Sequence, residues 1–395
     1  MSSQPSAVPR VLLVTGAYHP EISAAAVECR AVAAALGHRA RLSVLTTAVD
    51  ASLPPSETVD GVVVRRVAVD VRSAASKATA SIRLAGHLLS ARDAYDIIHV
   101  HGFSQKNVAV SIVGRLLGKR LVLTLHTAGQ DEPSVVKRRG PLAFWSFRSA
   151  DLVMCVSPDL RDRWRAADLP AERVRLTPNG VDTERFRPAS IDERRALRQA
   201  LGWPDAQPVV LFVGFFSRDK RPDLLFRAWR RIAIDGLGPR LAFVGAKKTG
   251  YYEIDESLGR EIRQQAEALG RADEVMSIEP TEDVEIYFRA ADAFVLPSIR
   301  EAQPLALLEA MACGLPCLAT YLPGATDVLI EDGVNGRLFP ADDEAALADA
   351  LRAVLNDRRA ADAMGARARE TVVARYDIRR TSEDWLSAYQ TVSAA

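Results

Sequence analysis

The sequence predicts an α/β protein with two doubly wound (Rossmann-like) domains that face each other across a cleft. Apolar runs of strand length alternate with helical stretches, and this pattern starts again after the middle of the chain. Residues 1–178 carry 23 Lys and Arg against 15 Asp and Glu, a net charge of +8. Residues 179–395 carry 28 against 35, a net charge of −7. The change of sign and the length of 395 residues both favour two domains of ordinary size.

The first half contains six apolar runs that fit strands of a parallel sheet. Most are near-continuous rather than alternating, which is typical of strands covered by helices on both faces. Helical stretches such as 24–37 and 107–118 separate them. The predicted strands are VLLVTG (11–16), LSVLTT (42–47), VVVRRV (62–67), DIIHVHG (96–102), RLVLTLHT (120–127) and DLVMCVS (151–157).

The second half repeats this organisation. Its predicted strands are PVVLFVGF (208–215), RLAFVGA (240–246), EVMSI (274–278), DAFVLPS (292–298) and PCLAT (316–320). Between the halves, TPNGVDTERFRP (177–188) is rich in turn-forming residues. We therefore expect an N-terminal domain at 1–178, a C-terminal domain at 179–377, and a C-terminal helix at 378–395 that can return to the N-terminal domain. Ligands of open α/β sheets bind at the carboxyl ends of the strands.

The composition excludes several classes of protein. Hydrophobic residues make up 48% and charged residues 26%, as in soluble globular proteins. No basic run is interleaved with aromatics, so no nucleic-acid partner is expected. The start lacks the apolar core of a signal peptide, and no stretch approaches the ~18 uninterrupted apolar residues of a membrane span. The expected location is the cytoplasm. A peripheral contact at the inner membrane face stays open, because Lys137, Arg138 and Arg139 precede PLAFWSF (141–147).

The segment REAQPLALLEAMACG (300–314) places two glutamates around a helix start. Pro304 suits the first turn, so Glu301 lies in the loop before the helix and Glu309 lies inside it. The N–H groups of a helix N-terminus attract anions. Carboxylates on both sides of such an end can hold hydroxyls on both sides of a bound phosphate. A nucleotide sugar has that shape.

Five segments together give the chain a recognisable family pattern. They are NGVDTERFRP (179–188), SRDK (217–220), AADAFVLPS (290–298), Glu301-x7-Glu309 followed by AMACGLP (310–316), and EDGVNGRLF (331–339). The chain resembles the retaining glycosyltransferases of the GT-B fold, in the large glycosyltransferase family four. The resemblance covers nearly the whole sequence.

The resemblance implies roles for residues of the second half. Glu301 matches the glutamate that contacts the donor sugar, and Glu309 matches the one that holds the ribose. Lys220 matches a lysine that binds the diphosphate. The family arginine five positions earlier is replaced by Phe215, and Arg218 is expected to supply a forked donor in its place.

The helix start departs from the family pattern. The family has a glycine-rich loop after the first glutamate, whereas this chain has Ala302-Gln303-Pro304-Leu305. Since Pro304 has no N–H, phosphate contacts are expected from Gln303, Leu305 and Ala306.

In the first half, the resemblance implies a second group of site residues. Ser23 and either Ala24 or Ala25 replace a family glycine pair near the donor phosphates and the acceptor. His126, at the end of a predicted strand, matches a histidine that reaches the donor sugar. His99 and His101 lie on one strand face, but no third ligand is evident, so a structural role is favoured and no metal is expected.

The mechanism implied by the resemblance is front-face substitution, in which the departing phosphate helps to deprotonate the acceptor hydroxyl. It needs no cofactor, no metal and no enzyme nucleophile, and the sequence has no Asp-x-Asp of the metal-dependent transferases. The expected donor is a nucleotide-diphosphate sugar of the UDP or GDP type. The acceptor is open, and glycans and lipid-linked molecules are both candidates. The alternatives are a sugar-nucleotide epimerase, a phosphorylase, or a catalytically silent partner of another transferase.

Overall fold

The computed structural model describes residues 8–234, 238–245 and 254–394. Residues 246 and 395, which belong to predicted segments, lie outside this part of the chain. The chain divides into two compact units. Unit 1 comprises the residues up to Gly180 together with those from Ile378 onward, and unit 2 runs from Val181 to Asp377.

Unit 1 contains an eight-stranded sheet in the order β3-β4-β2-β1-β5-β6-β7-β8. Its strands are β1 (Arg10–Thr15), β2 (Arg41–Ala48), β3 (Ser56–Val59), β4 (Val62–Ala68), β5 (Ile97–His101), β6 (Arg120–Leu125), β7 (Leu152–Cys155) and β8 (Val174–Leu176). All neighbouring strands pair in parallel except β3 and β4. The sequence analysis missed the two edge strands, β3 and β8, because neither is a continuous apolar run.

The chain order of the strands reverses at β1, which lies between β2 and β5. Leu13 is opposite Val44 on one side and His99 on the other. A crevice at the carboxyl edge of an open sheet forms at such a reversal, and side chains after β1, β5 and β6 therefore lie near one another.

Helices cover this sheet. They are α1 (Ala24–Leu36), α2 (Ala74–Ser90), α3 (Lys106–Leu116), α4 (Pro133–Arg138), α5 (Pro141–Arg148), α6 (Pro158–Ala166) and α14 (Ile378–Ala394). The last helix, α14, packs beside α1, and its Trp385 and Tyr389 share a core with Val11 and Leu13 of β1. This apolar contact explains why the end of the chain belongs to unit 1.

Unit 2 contains a six-stranded, all-parallel sheet in the order β11-β10-β9-β12-β13-β14. Its strands are β9 (Val209–Val213), β10 (Arg240–Val244), β11 (Val275–Ile278), β12 (Ala293–Leu296), β13 (Cys317–Thr320) and β14 (Arg337–Phe339). Its helices are α7 (Ile191–Leu201), α8 (Pro222–Ile234), α9 (Glu256–Ala268), α10 (Glu285–Ala290), α11 (Leu305–Ala312), α12 (Glu344–Asn356) and α13 (Arg358–Arg375).

Alternate residues of β9 enter two different cores. Val209 and Leu211 pack with residues of α10, α11 and α13, whereas Val210 and Phe212 pack with residues of α8, α9 and α12. Both faces of the strand are buried, as its continuous apolar run predicts. The prediction of doubly wound parallel α/β architecture is confirmed. Within the described residues, no helix combines the length and the apolar character needed to cross a membrane.

Candidate active-site residues

In unit 2, the loops after β9 and β12 are tied together at the carboxyl edge of the sheet. The N–H of Ile299 donates to the carbonyl of Asp219 over 2.8 Å, and Arg300 forms an ion pair with the Asp219 carboxylate. The Nζ atom of Lys220 donates to Oε1 of Glu301 over 2.6 Å. The Glu301 side chain is 8% exposed and that of Lys220 is 31% exposed. A basic and an acidic side chain therefore lie together at the carboxyl edge of the unit 2 sheet.

Helix α11 begins directly after this pair. Pro304 occupies the position before the helix, with φ −74° and ψ 114°, so the expectation that it lies in the first turn is wrong by one residue. Its extended ψ places Leu305 and Ala306 as the first two helical residues, and both are partly buried. Gln303 is buried at 6% exposure. The amides of Leu305 and Ala306 lie in the unpaired first turn, where an anion can be bound.

Glu309 lies one turn inside α11 and is buried at 8% exposure. Burial raises the pKa of its carboxyl to about 7; Arg185 opposes this shift and Glu285 adds to it. Arg185 itself donates to Glu285 over 2.7 Å. A buried carboxylate can accept two hydroxyl hydrogen bonds, which is the chemistry that a ribose offers.

Arg218 lies in the same loop as Lys220 but has a different environment. Its Nε donates to Asp255 over 2.7 Å and its Nη2 to Ser257 over 3.3 Å, at the start of α9. The Arg218 side chain is 64% exposed. In this conformation its guanidinium binds the α9 N-terminus, whereas Lys220 binds Glu301.

The ends of β9 and β10 approach each other closely. Gly214 and Gly245 have φ values of 155° and 154°. A Cβ atom on Gly245 would lie 1.8 Å from the carbonyl oxygen of Gly214. The close backbone contact therefore excludes a side chain at Gly245.

In unit 1, the residues in place of a glycine pair begin α1. Ser23 has an extended backbone, and its Oγ accepts from the N–H of Ala26 over 3.1 Å. Ala24 and Ala25 are the first helical residues and have no positive φ. Because this helix start uses ordinary backbone angles, alanine fits without strain and the first amides of α1 face the carboxyl edge of the sheet.

His126 follows β6 and lies between two buried polar side chains. Its Nε2 is 3.0 Å from Nδ1 of His101, and its Nδ1 is 3.7 Å from Oε2 of Glu28. Its N–H donates to Asp131 over 2.8 Å, and the same carboxylate accepts from Phe103 over 2.7 Å. Asp131 thus joins the loops after β5 and β6 and holds the backbone of His126.

Burial controls the ionisation of Glu28, His101 and His126. It raises the pKa of Glu28 to about 8 and lowers that of His126 to about 4. Desolvation, with His99 and His126 adding to the effect, lowers the pKa of His101 well below its usual value. Oε2 of Glu28 and Nε2 of His101 have no hydrogen-bond partner among the described residues.

Comparisons with known proteins give the family. The model described as Glycosyltransferase Family 4 matches residues 26–185, and that described as Glycosyl transferases group 1 matches residues 193–371. D-inositol 3-phosphate glycosyltransferase 1 of Catenulispora acidiphila is 32% identical over 337 residues, covering 80% of this chain and 78% of the relative. The chain belongs to glycosyltransferase family 4. It is a glycosyltransferase that uses a nucleotide-sugar donor, as the sequence analysis predicts.

Two further similarities have lower sequence identity. The alpha-maltose-1-phosphate synthase of Mycolicibacterium smegmatis is 29% identical over 324 residues, covering 78% of this chain and 82% of the relative. The crystal structure of Anabaena Alr3699/HepE in complex with UDP-glucose has a TM-score of 0.78 at 19% identity, covering 98% of this chain and 100% of that chain. The predicted GT-B fold is confirmed by this similarity.

The sequence analysis missed one member of the buried group in this family-4 protein. Glu28, His101 and His126 place ligand-type atoms within 4.8 Å of one another, so the three could hold a metal ion. The sequence analysis found no third ligand beside His99 and His101, whereas the structure groups His101 with His126 and Glu28. Glu28 and His101 are far apart in sequence, and only the packing of α1 on the sheet reveals their proximity. His99 differs, because Tyr389 and Thr124 occupy its two nitrogens at 2.8 and 2.6 Å.

Proposed function

We propose that this family-4 glycosyltransferase transfers a glycosyl group from a UDP-type donor to a polyol hydroxyl, with retention and without a metal. The Lys220–Glu301 pair beside the start of α11 carries the proposal. It combines a cation for a diphosphate, a carboxylate for sugar hydroxyls and unpaired helix amides within one sheet edge. The family assignment favours transfer over the epimerase, the phosphorylase and the silent partner.

Within unit 2, we assign each group by its chemistry. Glu301 accepts hydrogen bonds from hydroxyls of the transferred sugar, and Glu309 accepts those of the ribose. Lys220 and the backbone of Gln303, Leu305 and Ala306 bind the diphosphate. These groups stabilise the charge that grows on the departing phosphate, and such preorganised donors commonly supply a large share of catalysis.

Arg218 has a conditional role in this proposal. To bind a phosphate it must release Asp255 and Ser257. Since a guanidinium keeps its charge and its forked geometry when it changes partner, this exchange costs little at an exposed site. We assign to Lys220 the main contact with the diphosphate and to Arg218 an auxiliary one.

Within unit 1, we assign His126 to the donor sugar and the start of α1 to the donor phosphates. Nε2 of His126 bonds to His101, whereas Nδ1 lies beyond hydrogen-bond length from Glu28. Nδ1 is therefore the nitrogen that can turn to a sugar hydroxyl. Ser23, Ala24 and Ala25 bring the unpaired amides of α1 to the same edge of the sheet.

We infer that the acceptor is a phosphorylated polyol or sugar. The family-4 relative at 32% identity is named for D-inositol 3-phosphate, and the one at 29% identity for alpha-maltose-1-phosphate. A hydroxyl near the anomeric carbon attacks from the side of the departing phosphate, which takes the proton. This route uses no nucleophile from the protein and no metal. Glycan and lipid-linked acceptors are the alternatives.

A ligand panel followed by a transfer assay tests the proposed function. UDP, GDP, ADP and dTDP are compared by thermal shift, because a ligand that binds the folded state raises its stability. UDP should raise the melting temperature most. Transfer from UDP-glucose to D-inositol 3-phosphate is then measured with and without EDTA. Activity that is abolished by EDTA and restored by a divalent cation would overturn the metal-free mechanism, and a larger shift with GDP would overturn the choice of base.

A further inference from the structure

Lys106 places a partly buried positive charge at the carboxyl edge of the unit 1 sheet. It is the first residue of α3, and its Nζ lies between the ends of β1 and β2. Nζ donates to the carbonyl of Thr15 over 2.8 Å and to Oγ1 of Thr47 over 3.0 Å. Thr47 in turn donates to the carbonyl of Gly16 over 2.7 Å. The ammonium therefore lies under the loop that leads from β1 to α1.

This charge has no carboxylate partner in the described part of the chain. The buried arginines Arg66 and Arg198, by contrast, are paired with Glu57 and Asp292. A charge that is partly removed from water and has no carboxylate partner is costly, and desolvation lowers the pKa of Lys106 to about 8. Two of its three N–H groups have acceptors, so one is left for a ligand.

A second polar group beside Lys106 also lacks a partner. Thr15 is 1% exposed, and its Oγ1 has no hydrogen-bond partner among the residues that the structure describes. Its own carbonyl accepts from Lys106, so the residue that carries this hydroxyl is bonded to the ammonium. Buried hydroxyls are normally hydrogen-bonded. A ligand oxygen that binds both groups would complete the pairing.

The group lies just below the surface. Gly16, the next residue, is exposed, and a Cβ atom built on it would lie 3.9 Å from Nζ of Lys106. Among the described residues, apart from the two chain neighbours of Gly16, no other atom lies within 4 Å of that position. Without a side chain at Gly16, an oxygen atom at the surface can approach the ammonium.

We propose that Lys106, the Thr15 hydroxyl and the open face of Gly16 form an anion subsite that binds the phosphate group of the acceptor. The identity of the ligand at this subsite rests on the proposed function. A phosphorylated acceptor needs a positive charge that is not already bound to the donor diphosphate. An ammonium, a hydroxyl and room for an oxygen suit a phosphate monoester. The donor diphosphate is the other source of such an anion, and the experiment separates the two.

Inorganic phosphate is the probe, and UDP is used first to fill the donor site. Calorimetry measures phosphate binding to the UDP-saturated wild-type protein and to the variants Lys106→Met, Thr15→Val and Lys119→Met. Lys119 is the matched control, because its Nζ also donates to a carbonyl, that of Tyr95 over 2.7 Å, but at the opposite edge of the sheet. Thermal unfolding of each variant checks that it is folded.

We expect Lys106→Met to weaken phosphate binding by about 10-fold or more, as for loss of a charged hydrogen bond. Thr15→Val should weaken phosphate binding by a few-fold, although the substitution removes no hydrogen bond within the protein. A purely structural role of Thr15 would not give this result. Lys119→Met should bind phosphate like the wild type, and all variants should keep the wild-type affinity for UDP.

Loss of UDP affinity in Lys106→Met would overturn the proposal in favour of a donor phosphate. Equal losses in Lys106→Met and Lys119→Met, or no phosphate binding to the UDP-saturated wild type, would overturn it as well. A failed transfer assay with intact phosphate binding would instead count against the proposed function alone.

Discussion

Oε2 of Glu28 lies 3.7 Å from Nδ1 of His126, and both side chains are almost completely buried. The separation is within the range of an ion pair. Yet burial raises the pKa of Glu28 to about 8 and lowers that of His126 to about 4, so each group is mainly neutral at pH 7. Desolvation outweighs their mutual attraction, since an ion pair would shift both pKa values in the opposite directions. The contact is therefore one between a carboxylic acid and a neutral imidazole.

The raised pKa of the buried Glu28 determines how the free energy of unfolding should depend on pH. The folded pKa of Glu28 lies above its ordinary value of 4.5. Its stabilising contribution is therefore fully present below pH 4.5 and is lost as the pH rises through about 8, at about 1.4 kcal/mol for each unit of pKa difference. Chemical denaturation of the wild type and Glu28→Gln between pH 6.5 and 8 should show a free energy of unfolding that falls more steeply with pH in the wild type. His126 does not interfere, because its lowered pKa gives a contribution that is lost only as the pH falls below 6.5. Parallel curves in this window would show that Glu28 is already ionised.

The Lys220–Glu301 pair predicts a catalytic defect with little change in stability. Glu301→Gln keeps the shape of the side chain but removes the charge that binds Lys220 and that, in the proposed function, accepts from the sugar hydroxyls. Turnover should fall on the order of 10²-fold, as when one preorganised group is lost. Steady-state kinetics and thermal unfolding are compared with Glu267→Gln, an exposed position on α9. Wild-type turnover in Glu301→Gln would remove this residue from the sugar site.

Two basic residues of one loop should differ in their effect on diphosphate binding. Lys220→Ala removes the ammonium next to Glu301, whereas Arg218→Ala removes a guanidinium that binds Asp255. We expect Lys220→Ala to weaken the binding of UDP by about 10-fold or more and to leave the binding of uridine unchanged, because the contact that we propose for Lys220 is to phosphate. Arg218→Ala should have a smaller effect on UDP. Calorimetry that finds the same loss for UDP and uridine in Lys220→Ala would exclude its assignment to the diphosphate.

Glu309 predicts proton release when the nucleotide binds. Burial holds the pKa of its carboxyl at about 7, so a part of the molecules is protonated at neutral pH. In the proposed function, ribose hydroxyls donate to the ionised carboxylate, so UDP should lower this pKa and the affinity for UDP should fall as the pH drops below 7. Calorimetry in buffers of different ionisation enthalpy should detect the released proton in the wild type but not in Glu309→Gln. If UDP binding releases the same number of protons in the wild type and in Glu309→Gln, the released proton comes from another group.

The features that follow from short segments of sequence were predictable. Continuous apolar runs gave the central strands of both sheets, since burial of both strand faces leaves no polar alternation. The positions of Glu301 before α11 and Glu309 inside it were predictable, because Pro304 marks the start of the helix in the sequence. Contacts between distant segments were not predictable. Glu28 reaches His101 and His126 only through the packing of α1, and Lys106 lies under Gly16 because α3 begins beside the end of β1. The Arg218–Asp255 bond likewise joins two loops whose relative position no local pattern encodes.

The surface formed by α4 and α5 bears on the membrane contact left open by the sequence. Phe147, the last aromatic residue of PLAFWSF, is not part of this surface, because it is fully buried with its ring centroid 5.3 Å from those of Phe103 and Trp164. Leu142 and Trp145 are the exposed apolar residues, at 55% and 38% exposure. The α4–α5 surface therefore consists of Leu142 and Trp145 beside the exposed Lys137 and Arg138.

Vesicle binding by the α4–α5 surface is the last prediction. Each cation near an anionic bilayer contributes ~1 kcal/mol, so Lys137 and Arg138 give an attraction that salt weakens. We expect the protein to co-sediment with vesicles of anionic lipid at low salt and not with neutral vesicles. Binding should be lost in Lys137/Arg138→Ala and reduced in Trp145→Ser. Arg139 is left unchanged, because it donates to the carbonyl of Phe103 over 2.9 Å and its removal would disturb the loop after β5. Wild-type protein that stays in solution with both kinds of vesicle would favour an acceptor dissolved in water, because a membrane-bound acceptor requires this surface to reach the bilayer.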